Sequence, residues 1–258
     1  MQDYGLVSII TPSYNCAKFV EETIESVLLQ TYTNWELLFQ DDCSTDNTKE
    51  IVAKYAEKDL RIKYECNAKN SGAAITRNNA LRRAKGKWIA FLDSDDIWLP
   101  DKLEKQIKFI QDNNYHFSYT GYCEINEQSK EIGKLISGPK HITKVGMFCF
   151  CWLGCLTVMY DREHIGLIQI ADIKKNNDYA MWLKVCKKAD AYLLDEPLAK
   201  YRRGRIGSIS SHGYITLIKW HYKLFRESEQ LGVVASAFIT LVNLVCGVFK
   251  KIKYVKSY

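Results

Sequence analysis

Two acidic clusters, Asp93-Ser94-Asp95-Asp96 and Asp41-Asp42, are the residues whose types and spacing most invite chemistry. The first follows directly on the apolar run Trp88 to Leu92 and the second on Trp35 to Gln40. Each is therefore expected at the carboxyl end of a buried strand and not on a solvated helix face. Carboxylates at i and i+2 in an extended segment point the same way. Hard oxygens so placed suit Mg²⁺ or Mn²⁺ and leave positions for water and phosphate. Asp95 is the expected chief ligand, with Asp93 in support. The plainer reading is an Asp-rich turn that caps a helix opening at Pro100, since Asp-x-Asp alone is a common pattern. Two acidic strand ends in one sheet weigh toward the metal.

Seven Lys or Arg residues and no acid lie between Leu198 and Arg226, within a formal net charge of only +6. That local excess suits an anionic partner, such as a diphosphate or an acidic bilayer. No nucleic acid polymer is expected. Nine scattered cysteines without a repeated Cys-x-x-Cys pair argue against a disulfide framework and for a reducing cytosol. Cys149, Cys151 and Cys155 lack nearby histidines and match no common zinc spacing, so they read as small buried hydrophobes.

The elements that must position these groups alternate. Leu6 to Thr11 and Trp35 to Gln40 read as short buried strands, with Val20, Ile24, Val27 and Leu28 at helical spacing between them. Ser44 to Thr48 supplies capping residues for a helix through Ile51, Val52 and Tyr55, followed by a strand at Ile62 to Glu65. Ala73 to Ala84 is helical, Trp88 to Leu92 is a strand, and Pro100 opens a helix carrying Leu103, Ile107 and Ile110. The pattern implies an α/β fold with a mostly parallel sheet covered on both sides and ligands at the strands' carboxyl ends. It loosens from about residue 115 to 175. A helix resumes with Tyr179, Trp182, Leu183 and Cys186, then a short strand at Ala191 to Leu194.

A chain of 258 residues with 47% hydrophobic content fits one large domain and a tail. Leu6 to Thr11 is too short for a secretory core and runs into Pro12, so no signal peptide is expected. In the tail, Leu231 to Phe249 is 19 residues without a charge. Ser236, Thr240, Asn243 and Gly247 recur on one side, and Val234, Phe238, Leu241, Val245 and Val248 define the other. Such a helix is expected to lie in a membrane surface, with Lys250, Lys251, Lys253 and Lys256 toward anionic headgroups. The alternative is a helix packed on the enzyme's own core or on a second subunit, giving a homodimer.

The chain resembles the bacterial family 2 glycosyltransferases of the O-antigen and capsule type, which have the GT-A fold. The resemblance rests on Val7-Ser8-Ile9-Ile10-Thr11-Pro12-Ser13-Tyr14-Asn15, on Gln30-Thr31-Tyr32, and on Asp41-Asp42-Cys43-Ser44-Thr45-Asp46. It continues through Asn70-Ser71-Gly72, Arg77-Asn78-Asn79-Ala80 and Phe91-Leu92-Asp93-Ser94-Asp95-Asp96 to Leu99-Pro100, in the family's order over about the first 105 residues. Asn177-Asp178-Tyr179-Ala180-Met181-Trp182 looks like that family's Glu-Asp-x-x-x-Trp motif, with Asn in place of the first acid. Tyr201-Arg202-Arg203-Gly204-Arg205-Ile206-Gly207-Ser208 resembles Tyr-Arg-x-His-x-Gly-Ser, without the histidine.

The resemblance implies a GT-A catalytic domain over residues 1–212, with a nucleotide-sugar half (1–105) and an acceptor half (106–212), and a helical tail over 213–258. It places uracil and ribose against Pro12, Tyr14, Asn15 and Asp42. It places the diphosphate and sugar near Arg77, Asp93 and Ser94, with Asp95 and Asp93 on Mn²⁺ or Mg²⁺. Asp178 matches the catalytic base of inverting transfer, its bland alternative being a helix cap; Trp182 reads as packing. Arg202, Arg203 and Arg205 stand where the histidine is missing and could pair with phosphate oxygens. His212 nearby reads as incidental. The implied reaction moves a hexose, glucose first, from a UDP-sugar to a polyprenyl-diphosphate-linked saccharide in surface polysaccharide synthesis. It would run in the cytoplasm on the inner face of the membrane. A polyprenyl-phosphate glycosyltransferase and a non-catalytic nucleotide-sugar-binding subunit are the rival readings.

Overall fold

The computed structural model describes residues 3–173, 175–204 and 214–258. β1 (Val7–Ser13) and β2 (Trp35–Asp41) are buried along their whole lengths, as strands covered on both faces require. Between them α1 (Val20–Leu28) turns Val20, Ile24 and Val27 inward. The alternation continues with α2 (Thr48–Lys58), β3 (Ile62–Cys66), α3 (Ala73–Arg83) and β4 (Trp88–Phe91). These four strands run parallel in the order β3-β2-β1-β4. Side chains alternate along each strand. Ile9, Leu37 and Ala90 therefore join one core layer with Ile24, Leu103 and Ile107, while Ile10, Leu38 and Phe91 join the other with Leu81, Met181 and Trp182.

Downstream come β5 (Ile97–Trp98), α4 (Lys102–Asp112), β6 (Phe117–Ile125), β7 (Glu131–Ile136), β8 (His141–Ile142) and α5 (Lys144–Cys149). They are followed by β9 (Met159–Asp161), α6 (Arg162–Ile165), α7 (Asn177–Cys186) and β10 (Ala191–Arg202). β9 runs antiparallel to both β4 and β6, so β6 regains the direction of the parallel half. β10 lies parallel to β6. The stretch that looked loose in sequence thus supplies a nine-residue central strand, β6. Ser118 and Thr120 break its apolar pattern yet are buried, and Ser118 accepts a hydrogen bond from Gln106 (2.9 Å). β10 is three times the expected length because Pro197 sits at a register shift, where the missing N–H costs the ladder nothing. The helix expected from Pro100 begins at Lys102, with Pro100 in the turn before it.

The tail forms α8 (Tyr214–Lys223), a π-helical turn at Leu224–Ser228, α9 (Val233–Lys253) and β11 (Val255–Ser257), which pairs antiparallel with β7. α9 carries its polar stripe against the domain. Ser236, Thr240 and Asn243 are buried, and a Cβ at Gly247 would lie 2.9 Å from the Phe150 ring. Asn243 Nδ2 donates to the Tyr179 hydroxyl at 2.7 Å. Val234, Phe238, Leu241, Val245 and Val248 all face outward. The helix is long and apolar enough to cross a membrane by length and composition. One expectation is corrected here: Lys250 turns inward and donates to the Trp152 carbonyl at 2.8 Å, so it does not join Lys251, Lys253 and Lys256 on the outside.

Candidate active site

The loops after β1 and β2 are clasped together. Asn15 has a left-handed backbone (φ 48°); its N–H donates to Ser44 Oγ (2.9 Å) and its Oδ1 accepts from the Thr45 N–H (2.8 Å). These bonds give Asn15 a scaffolding role between the two loops. Tyr14 stays 46% exposed beside it, and Pro12 is buried at the end of β1. Asp42 is buried: Oδ1 accepts from Ser71 N–H and Asn67 Nδ2, and Oδ2 from Gly72 N–H, all at 2.7 Å. These bonds hold Gly72 at φ 84°, the turn from which α3 starts. Oδ2 retains a second lone pair.

Asp93 to Asp96 is not extended. The Asp96 N–H donates to the Asp93 carbonyl (3.1 Å), closing a turn. β5 separates it from α4, so it does not cap that helix. Asp93 and Asp95 are partly exposed, whereas Ser94 and Asp96 are buried. Ser94 is buried under the turn. Asp96 Oδ1 accepts the Arg202 N–H at 2.9 Å. Burial, reinforced by Asp95 and Asp93, pushes the Asp96 carboxyl well above the ordinary range against the pull of Arg202.

Arg202 serves the scaffold. Its Nε donates to the Asp95 carbonyl (2.8 Å), NH1 to the Asn126 carbonyl and Ser129 Oγ (both 2.9 Å), and NH2 to Glu22 (2.6 Å). It is a buried brace for the acidic turn, 4.6 Å from the Phe19 ring centroid. Arg203 is half exposed and pairs with buried Glu124 at 2.6 Å. Arg205 and His212 lie outside the described residues.

The carboxylates converge on Arg77. This arginine is 5% exposed on the inner face of α3; NH2 bonds Asp93 Oδ1 at 2.5 Å and NH1 bonds Asp178 Oδ1 at the head of α7. Burial alone would lower the Arg77 pKa, but Asp178 and Asp93 outweigh it and hold it well above the usual value. The Asp178 side chain keeps 35% of its surface accessible, yet sits deep enough that desolvation raises its pKa. Arg77 opposes that rise and Asp93 adds to it.

Two residues that position this group escaped the sequence reading. Asn78 accepts from the Ile170 N–H (2.7 Å) and donates to the Ile170 carbonyl (2.9 Å), fixing the segment that leads to α7. Asn67 takes Gln40 and Asn79 on Oδ1 and gives Nδ2 to Asp42 and Thr76. A buried asparagine on an otherwise apolar helix face was the available signal for the first. Trp182 packs edge-on against Phe91 at 5.1 Å, the packing role expected of it.

Among the described residues no three His, Cys, Asp or Glu side chains converge into a closed cation site. The donors present fit a different arrangement. Asp95 and Asp93 offer hard oxygens at one partly exposed turn, suited to Mg²⁺ or Mn²⁺ held also by a bound diphosphate and water.

A parallel β3-β2-β1-β4 half extended by mixed strands, with acids at the carboxyl ends of β2 and β4, is the GT-A fold. The chain belongs to glycosyltransferase family 2: residues 8–154 match the family described as Glycosyl transferase family 2. It is a glycosyltransferase. An Escherichia coli relative, UDP-Glc:alpha-D-GlcNAc-diphosphoundecaprenol beta-1,3-glucosyltransferase WfgD, is 44% identical over 97% of this chain and 96% of its own. S. aureus TarS 1–349 in complex with UDP-GlcNAc superposes with a TM-score of 0.71 at 22% identity, covering 96% of this chain and 74% of that one. The mannosyltransferase PcManGT from Pyrobaculum calidifontis, in complex with GDP-Man and Mn²⁺, gives a TM-score of 0.63 at 18% identity, over 95% and 74%.

Proposed function

We propose that this enzyme transfers a hexose, glucose in the first instance, from a UDP-sugar to a saccharide carried on polyprenyl diphosphate, with inversion. The Arg77 bridge carries the reading. One buried guanidinium gathers a strand-end carboxylate and a helix-heading carboxylate into one cleft, with phosphate chemistry on one side and proton chemistry on the other. The activity in WfgD's name supports the donor and acceptor classes, and the beta-1,3 linkage in that name is the product that inversion at an α-configured sugar nucleotide gives.

In the proposed reaction Asp178 takes the acceptor hydroxyl's proton as that oxygen attacks the anomeric carbon. The bond from that carbon to the UDP oxygen breaks on the opposite face, and UDP leaves with the electron pair. Desolvation makes Asp178 a stronger base than an exposed aspartate, and Arg77 keeps it ionised and aimed. The exposed Tyr14 ring stacks on uracil, Pro12 shapes the same edge, and the spare Asp42 lone pair accepts from the uracil imide or a ribose hydroxyl. Mg²⁺ or Mn²⁺ on Asp95, with Asp93 in support, supplies neutralisation of charge on the departing diphosphate. Residues 1–105 form the donor half, 106–212 the acceptor half and 213–258 the tail. The outward face of α9, flanked by Lys251, Lys253 and Lys256, attaches the enzyme to the inner face of the membrane.

A panel of radiolabelled UDP-sugars against synthetic lipid-diphosphate and lipid-monophosphate acceptors, with and without Mn²⁺, tests this. Label from UDP-glucose is expected on the lipid-diphosphate saccharide, dependent on the ion. Transfer to bare lipid phosphate, or to nothing, overturns the reading.

A further inference from the structure

Ile173, Lys175, Trp220, Lys223 and Leu224 line a shallow notch of about 120 Å³ between the segment leading into α7 and the end of α8. Lys175 Nζ stands 5.1 Å over the Trp220 ring centroid, which holds the ammonium at the notch instead of in bulk water. Among the described residues Lys223 pairs with Glu227 at 3.6 Å, both side chains more than half exposed, a pairing too loose to neutralise it. The lining therefore combines two cations with an apolar wall from Ile173, Leu224 and the indole. An anion that continues into a hydrocarbon chain matches both parts; a free sugar matches neither.

The notch is fixed relative to the reacting groups. Lys175 precedes Asp178 by three residues, and three peptide steps keep the two Cα atoms within about 11 Å. The Asn78–Ile170 clasp anchors the same segment to α3, the helix that carries Arg77. α8 in turn packs on α9, whose outer face is apolar. An acceptor with one hexose between its attacking hydroxyl and its diphosphate would lie with the hydroxyl at Asp178, the diphosphate at the lysines and the lipid leaving toward α9.

We propose that this notch is the seat of the acceptor's lipid diphosphate, with Lys175 and Lys223 on the phosphate oxygens and Trp220, Ile173 and Leu224 against the first carbons of the lipid. The assignment rests on the acceptor class proposed above and names the residues that read it. It predicts a preference for diphosphate-linked acceptors through charge count: a monophosphate engages one lysine well and a diphosphate both.

The test compares full-length wild type with K175A/K223A and with the charge-preserving K175R/K223R. Two acceptors are used: N-acetylglucosamine on the diphosphate of a medium-length alkanol, and the same sugar as a plain alkyl glycoside. K175A/K223A is expected to raise KM for the diphosphate acceptor about tenfold, with kcat changed little, as loss of charge-assisted hydrogen bonds requires. K175R/K223R restores it, the alkyl glycoside shows no shift, and UDP-glucose binding measured by calorimetry is unchanged. An unchanged KM for the diphosphate acceptor, or an equal loss on both acceptors, overturns the notch while leaving the acceptor class standing. Parallel loss of binding to phosphatidylglycerol vesicles overturns it in favour of a bulk headgroup site. Wild type that transfers to neither acceptor sinks the acceptor class and the notch together.

Discussion

Arg77 NH1 bonds Asp178 while the same guanidinium holds Asp93, so the candidate base and the acidic turn share one buried cation. This couples the protonation of Asp178 to an arginine on a different element. Asp178 has a raised pKa because burial outweighs Arg77, so the acid limb of kcat should lie above the ordinary aspartate range. Removing the opposing charge with Arg77→Met raises the pKa further. Activity that needs the carboxylate is then lost as pH falls through a higher value, and the variant should recover part of its rate at alkaline pH. Asp178→Asn should lower kcat by about 10²- to 10⁴-fold at every pH while UDP-sugar binding persists. A pH profile of Arg77→Met that is only scaled down, with no displaced limb, would show that Arg77 acts on binding alone.

The two neighbouring acids of the turn should behave in opposite ways. Asp95 is partly exposed at the cleft, so Asp95→Ala should abolish stimulation by Mn²⁺ while leaving the unfolding midpoint near wild type. Asp96 is buried with a raised pKa, so the folded state binds its proton more readily than the unfolded chain does. Its contribution is therefore favourable at low pH and lost as pH rises above the ordinary carboxylate value toward the folded one. Asp96→Asn keeps the side-chain oxygen for the Arg202 N–H without the buried charge. Denaturant titrations at acid and neutral pH should find this variant as stable as wild type or more so at neutrality, with less loss on raising the pH.

The parallel half of the fold was legible because β4 is an unbroken apolar run, β1 and β2 are mostly apolar with Ser8, Thr11, Glu36 and Gln40 as their internal polar residues, and each lies next to a helix with one periodic face. β6 was not legible, since Ser118, Thr120 and Gly121 interrupt its pattern and its burial is decided by β9 and β10, which pair with it from distant sequence. The same limit governs the site. Residue type singled out Asp93 and Asp178, which the fold brings together on Arg77, but whether an arginine serves ligand or scaffold depends on its neighbours. Arg202 looked available in sequence; the carbonyls of Asp95 and Asn126 and the carboxylate of Glu22, scattered over a hundred residues, occupy it. The α9 stripes were visible in sequence, while their orientation depended on Tyr179 and Phe150 being there to receive the polar side.

Lys102 is fully buried at the start of α4, its Nζ 4.0 Å from the Trp98 ring centroid and without a hydrogen-bond partner among the described residues. Burial pushes its pKa down to about 7. The unfolded chain holds this proton up to its ordinary value near 10.5. Between these limits the unfolded state binds more protons, so this residue makes stability rise with pH across that window. Lys102→Met fills similar volume without a charge to desolvate and should stabilise the fold by roughly 1–4 kcal/mol at pH 7. The gain should shrink toward pH 10. Chemical denaturation at both pH values measures it, and an equal gain at both would mean that packing and not ionisation is responsible.

The two sides of α9 allow attachment to be separated from folding. Asn243 is buried and donates to Tyr179, the residue after Asp178, so Asn243→Ala should cost about 1–3 kcal/mol of stability and loosen the helix that carries the base. The outward residues Phe238, Leu241 and Val245 touch water in the isolated chain and contribute little to its folding. The triple change to serine should leave the unfolding midpoint in place, since no core contact is lost. Each side chain withdraws roughly 1.5 kcal/mol or more of apolar burial from a bilayer interface, so binding to anionic vesicles should fall by about 100-fold even if burial there is partial. Co-sedimentation with phosphatidylglycerol vesicles reads that loss, and transfer to a soluble short-chain acceptor should continue at the wild-type rate. If the outer face instead meets a second copy of the chain, the triple variant will convert a dimer to a monomer in analytical ultracentrifugation with no change in vesicle binding. The charge on Lys251, Lys253 and Lys256 separates these outcomes further, because high salt weakens vesicle attachment and leaves an apolar dimer intact.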